Sequence, residues 1–155
     1  MSVPIREPAR VVVIDDLPIV RESTVAYLAR DPDMEIVGTA ETGAQGIELC
    51  QRLRPAAVVL DLSLPDMSGL DVARELRRLP RPPAILMQSG TIDRATVEAA
   101  LRVGASGYID KAAPPQDLID AVRAVLRGET GVLRGTALLA EFGDDTKGVD
   151  DDINR

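Results

Sequence analysis

Short apolar runs rich in β-branched residues alternate along this chain with longer segments in which apolar residues recur at helical spacing. The runs fall at about 10–14, 35–40, 56–60, 83–87 and 106–110, and read as strands. The amphipathic segments fall at about 18–30, 43–53, 68–78, 91–103 and 115–127, and read as helices. Pro18 suits the first position of the first helix, because its missing N–H is not needed there. Val20, Thr24, Val25, Tyr27 and Leu28 supply that helix's inner face. The second helix starts after Thr42-Gly43 and stops before Pro55. Ser68 is an N-cap for the third, which ends near Leu79-Pro80. Gly104 closes the fourth, and the fifth runs from Pro114-Pro115 to Gly128, a C′ glycine.

This alternation predicts βα units around a parallel sheet, an α/β chain of (βα)5 type. Right-handed crossovers favour a doubly wound parallel sheet, for which the flavodoxin-like strand order 2-1-3-4-5 is the commonest small solution. Spacing alone does not prove that order. One domain over residues 1–129 is expected, followed by a different pattern over 130–155. There, Gly131 to Phe142 reads as a short sixth helix, with Leu133, Ala137, Leu138 and Phe142 apolar. Gly143 to Arg155 carries five aspartates against one lysine and one arginine, and reads as a disordered acidic tail or linker.

Charge and composition remove several classes of function. The net charge of −7 repels DNA phosphates, so no direct nucleic-acid contact is expected. Tyr27, Tyr108 and Phe142 are the only aromatic residues, too few for a base-stacking platform. With no histidine, Ser-His-Asp hydrolysis and histidine zinc sites are excluded. Cys50 is the single cysteine and reads as a small buried apolar residue. No segment resembles a signal peptide or a membrane span, so a cytoplasmic protein without membrane contact is expected.

The chemistry gathers at the ends of the apolar runs. Val11 to Ile14 ends in Asp15-Asp16, and Ala57 to Leu60 ends in Asp61. Ser89 stands one residue beyond Ile85-Leu86-Met87, and Ser106 to Ile109 leads through Asp110 to Lys111. In an open parallel sheet the carboxyl ends of the strands line one crevice, which would then hold three carboxylates, a hydroxyl and an ammonium. Two such carboxylates about 4 Å apart repel by about 4 kcal/mol at an effective dielectric near 20. Mg²⁺ answers that repulsion best, with Mn²⁺ as an alternative, since a hard cation takes carboxylates and phosphate oxygens as ligands. Neighbouring side chains on a strand point opposite ways, so Asp16 is the expected direct ligand and Asp15 the water-mediated one. Asp61 is the candidate nucleophile, Lys111 the point charge for phosphoryl oxygens, and Ser89 a hydrogen-bond donor to one of them. Taken singly, each has a duller reading: a cap for Asp16, a loop aspartate for Asp61, a turn for Ser89, a solvated lysine for Lys111. The combination at four strand ends is what carries the assignment.

These residues resemble the receiver domain of bacterial two-component response regulators. The resemblance covers roughly residues 10–128 and rests on Val-Val-Val-Ile-Asp-Asp-Leu-Pro, Val-Val-Leu-Asp-Leu-Ser-Leu-Pro-Asp-Met-Ser-Gly-Leu-Asp and Gly-Ala-Ser-Gly-Tyr-Ile-Asp-Lys. It implies that Asp61 takes a phosphoryl group from a sensor histidine kinase. It implies Mg²⁺ held by Asp15, Asp16, Asp61 and the Ser63 backbone carbonyl. Lys111 then pairs with the phosphoryl group, Ser89 and Tyr108 act as switch hydroxyl and switch aromatic, and Ser63 and Thr91 tune dephosphorylation. Pro65 and Gly69 match the turn after the phosphorylation site. On phosphorylation Ser89 is drawn in, Tyr108 turns inward, and a partner or a second copy of the chain reads the altered face, with a homodimer as one outcome. The site would be no more than a slow enzyme, phosphorylating and dephosphorylating itself.

The segments Gly-Ala-Ser-Gly-Tyr and Ala-Val-Arg-Ala-Val-Leu-Arg-Gly-Glu are similar to the branch whose receivers precede a LuxR-type helix-turn-helix. That implies control of transcription through a domain not in these residues. Three positions depart from the family pattern. Ala112 follows Lys111 where a proline is common, often after a cis bond; a cis Lys111–Ala112 bond would cost about 2.5–4 kcal/mol. Gly90 follows Ser89 where alanine is common, and Asp110 beside Lys111 could compete for its ammonium. Two other readings stay open: a stand-alone or phosphorylation-independent binding module of the same fold, and a metal-dependent phosphatase. The second is disfavoured because Ser63 stands where such phosphatases place an acid/base carboxylate.

Overall fold

The computed structural model describes residues 7–142. Its elements are β1 (Ala9–Ile14), α1 (Pro18–Leu28), β2 (Met34–Ala40), α2 (Gly43–Leu53), β3 (Ala57–Asp61), α3 (Gly69–Arg77), β4 (Ala84–Ser89), α4 (Arg94–Arg102), β5 (Gly107–Asp110), α5 (Pro115–Leu126) and β6 (Val132–Arg134). All strands are parallel, in the order β2-β1-β3-β4-β5-β6. The doubly wound order expected from crossover handedness is present, extended by one strand.

The two faces of the sheet explain the apolar runs. Val11 and Val13 point into a core with Leu28 of α1 and Leu118, Ala121, Val122 and Val125 of α5. Val12 and Ile14 point the other way, among Cys50 of α2, Val72, Ala73 and Leu76 of α3, and Val97 and Ala100 of α4. A strand covered on both faces must be apolar along its covered length, as Val11–Ile14 of β1 and Ala57–Leu60 of β3 are. Cys50 is buried in the second core, and burial pushes its thiol up to about 12.

Two sequence expectations are corrected. Gly131 to Phe142 is not one short helix: Val132–Arg134 forms β6 beside β5, and residues 136–142 are helical. A three-residue strand lies below what periodicity can register, and its pairing with Gly107–Ile109 is a long-range contact. The fourth helix begins at Arg94 rather than 91, because the Asp93 carboxylate accepts from the Thr96 N–H at 2.8 Å and caps the helix there. The acidic segment from Gly143 on lies outside the described residues.

Candidate functional site

The carboxyl ends of β1, β3, β4 and β5 deliver the expected groups to one edge of the sheet. Asp15 follows β1, Asp61 ends β3, Ser89 ends β4 and Lys111 follows β5. Carboxylate oxygens of Asp15, Asp16 and Asp61 lie within 4.8 Å of one another. The Lys111 ammonium sits 3.2 Å from Asp61 Oδ2 and 3.3 Å from Asp15 Oδ2. Asp15 and Asp61 are buried, and Asp16 is half-buried. Asp15 Oδ1 accepts from the Leu17 N–H at 2.9 Å, whereas Asp15 Oδ2 is buried without a hydrogen bond. Three clustered carboxylates, only two of them paired with an ammonium, and a buried Asp15 oxygen that accepts no hydrogen bond fit a hard divalent cation.

Burial pushes the Asp61 carboxyl up to about 6, helped by the neighbouring Asp15 charge. The Ser63 N–H, donating to Asp61 Oδ1 at 3.1 Å, and the Lys111 ammonium oppose that rise. The loop after Asp61 folds back tightly, and Gly69 N–H donates to the Leu62 carbonyl at 2.7 Å. A Cβ on Gly69 would lie 2.4 Å from the Asp61 carbonyl oxygen, so glycine is required by the close approach of two backbones.

The hydroxyl end of the site forms a chain of contacts. Ser89 Oγ accepts from the Thr91 N–H at 2.9 Å, and the Tyr108 hydroxyl donates to the Thr91 carbonyl at 2.6 Å. Tyr108 is wholly buried, and burial raises its phenol above the usual range. The ring is thus already inside, where the sequence reading has it turning inward on phosphorylation. Asp110 does not compete for Lys111: its Oδ1 accepts from the Ala112 N–H at 2.9 Å. The Lys111–Ala112 bond is trans, and Lys111 is instead held by its own N–H, which donates to the Ser89 carbonyl at 3.0 Å.

Two positioning residues escaped sequence reasoning. Both carboxylate oxygens of Asp66 accept backbone N–H groups at the start of α2, from Gly43 at 2.7 Å and Ala44 at 2.9 Å. These donors hold its carboxyl below the usual range and tie the loop after Asp61 to α2. Arg21 donates to the Asp15 carbonyl at 2.9 Å and pairs with Glu41. An acid in a Pro-Asp turn and an arginine on a helix are common, and Asp66 lies 23 and 22 residues from its two donors. The duller reading of Asp16, as a cap for α1, is not seen; Leu17 is the N-cap, and Asp15 takes its N–H.

No helix among the described residues is long and apolar enough to cross a membrane. The sequence matches the response regulator receiver domain family over residues 11–123. It is 37% identical over 124 residues to the nitrate/nitrite response regulator protein NarL of Escherichia coli, covering 80% of this chain and 57% of that protein. It is 32% identical over 120 residues to the transcriptional regulatory protein LiaR of Bacillus subtilis, covering 77% of this chain and 57% of that one. The chain therefore spans little more than half the length of these relatives. Among solved structures, the signal receiver domain of a NarL response regulator from Mycobacterium tuberculosis superposes with a TM-score of 0.77 at 34% identity, over 80% of this chain and all of that one. A LuxR-family two-component response regulator from Aurantimonas superposes with a TM-score of 0.82 at 29% identity, over 90% of this chain and 99% of that one. With the family matched across most of the sheet and all four site-bearing strand ends, this chain belongs to the response regulator receiver domains.

Proposed function

We propose that the chain is a phospho-accepting switch in which Asp61 takes a phosphoryl group from the phosphohistidine of a sensor kinase. The observation that carries this is the gathering of Asp15, Asp16 and Asp61 within 4.8 Å, with Lys111 bridging two of them. A carboxyl with a pKa of about 6 is ionised at neutral pH, so the Asp61 carboxylate attacks phosphorus without a protein base. An O–P bond forms as the donor's N–P bond breaks, and the freed imidazole nitrogen takes a proton. The Lys111 ammonium meets the charge on the phosphoryl oxygens, and Ser89 donates a hydrogen bond to one of them.

Asp15, Asp16, Asp61 and the Ser63 carbonyl would hold Mg²⁺ or Mn²⁺, which would supply charge neutralisation between the anionic nucleophile and the anionic donor. Ser63 and Thr91 flank the site and set the lifetime of the acyl phosphate. Slow self-phosphorylation from small donors and slow autodephosphorylation are its only turnover. Once Ser89 bonds the phosphoryl group it gives up the Thr91 N–H, and the loop 90–93 moves with Tyr108. A partner or a second copy reads that change in the cytoplasm, and transcription is controlled through a further domain, in keeping with relatives of which the match covers 57%.

Intact mass spectrometry with Mg²⁺ and acetyl phosphate tests this. Wild type gains about 80 Da and Asp61→Asn gains nothing. Equal labelling of both, or of neither, overturns the assignment.

A further inference from the structure

The segment after α5 does more than end the sheet. β6 pairs with β5, and Leu133, Leu138 and Phe142 enter the same core as Tyr108, Val97 and Ala100. The turn between β6 and the helical residues 136–142 presses on the neighbour of Lys111. Gly135 there has φ +118°, and a Cβ on it would meet Asp110 Cβ at 2.6 Å. At its far end the segment meets the side chain of Arg94. Arg94 Nη2 donates to the Glu141 carbonyl at 2.8 Å, and the Arg94 guanidinium lies 4.7 Å over the Phe142 ring.

Arg94 is the first residue of α4, directly after the Asp93 cap. Three residues before it stands Thr91, whose N–H goes to Ser89 Oγ and whose carbonyl takes the Tyr108 hydroxyl. Arg94, which grips residues 141 and 142, is therefore five residues along the chain from Ser89, whose hydroxyl faces the site. We infer that residues 132–142 form a strap whose hold on Arg94 is released when Ser89 engages a phosphoryl group, so that the site signals to whatever follows residue 142 through its own chain. The strap's apolar anchors, Leu133 and Leu138, stay in the core, and only its last turn loosens. This rests on the phosphoryl reading above.

Hydrogen exchange by mass spectrometry on the full chain, with Mg²⁺ and beryllofluoride as the phosphoryl mimic, tests it. Bound beryllofluoride is followed in parallel by ¹⁹F NMR. In wild type, exchange over 136–142 is expected to quicken about tenfold on binding, the scale of one hydrogen bond with a cation–π contact. Arg94→Ala should show the fast rate before beryllofluoride is added and gain nothing from it. Phe142→Leu, which keeps an apolar anchor but no ring, should behave likewise, and Asp61→Asn should stay slow throughout. A strap with a purely structural role predicts faster exchange in Arg94→Ala but no response in wild type. Beryllofluoride bound to wild type with unchanged exchange over 136–142 therefore overturns the strap alone. No bound beryllofluoride overturns the phosphoryl reading and the strap together.

Discussion

The Tyr108 hydroxyl donates a 2.6 Å hydrogen bond to the Thr91 carbonyl, which ties the sole aromatic of β5 to the loop that begins at Ser89. The ring is wholly buried between the sheet and α4, so its volume and its hydroxyl do separate jobs. Tyr108→Phe keeps the volume and loses the bond, and should lower stability by about 0.5–1.5 kcal/mol. Tyr108→Ala also opens a cavity, and should cost about 3–5 kcal/mol. Urea denaturation of the two variants separates these contributions; equal losses would show that the hydroxyl, not the ring, holds the loop.

Asp61 gives the metal-free protein a defined pH dependence. Its carboxyl is raised by burial to about 6, above an unfolded value near 3.9. Between those values the folded state binds more protons than the unfolded state, so this group's contribution to stability falls as pH rises. The loss starts near pH 4 and is complete above about pH 6. Asp61→Asn removes it: in EDTA the variant should match wild type at pH 4 and melt higher at pH 7.5. Mg²⁺ should narrow the gap at pH 7.5, and its binding to wild type should weaken below about pH 6. Melting curves across that range, with and without the ion, give the answer.

Asp31 acts in the opposite sense. It is buried beside the Arg123 guanidinium, which with the Asp33 N–H holds its carboxyl below the usual range despite burial. Its contribution is therefore present above the unfolded value near 3.9 and lost as pH falls through the lower folded value. Asp31→Asn should destabilise the protein at neutral pH, and the difference from wild type should shrink only in strong acid. A pH-independent difference would mean that the ion pair between the α1–β2 loop and α5 contributes nothing.

Two glycines near the site make opposite predictions. Gly69 faces the Asp61 carbonyl with no room for a methyl group, so Gly69→Ala should cost about 1–3 kcal/mol and slow labelling by acetyl phosphate. Gly90 has open space at its Cβ position and needs no left-handed backbone, so Gly90→Ala should be neutral or gain about 0.4–1 kcal/mol through the unfolded chain. Denaturant midpoints for the pair decide both.

How much of this was legible beforehand follows from the range of each interaction. The five main strands, the flanking helices and the bearing of Asp15, Asp61, Ser89 and Lys111 at strand ends could be read because each depends on local periodicity. Handedness, a general property of chains of L-residues, favoured a doubly wound sheet, and the order of its first five strands was the commonest small solution rather than one the sequence proves. What the tertiary structure alone decided lies between distant residues. It set Lys111 between Asp15 and Asp61, put both oxygens of Asp66 on the start of α2, buried Tyr108 against Thr91, and added β6 to the sheet edge. A sequence records which groups a chain carries and how they alternate. Which of them meet across twenty or a hundred residues is set by packing, since burial and unpaired charge are properties of the assembled core and of no single segment.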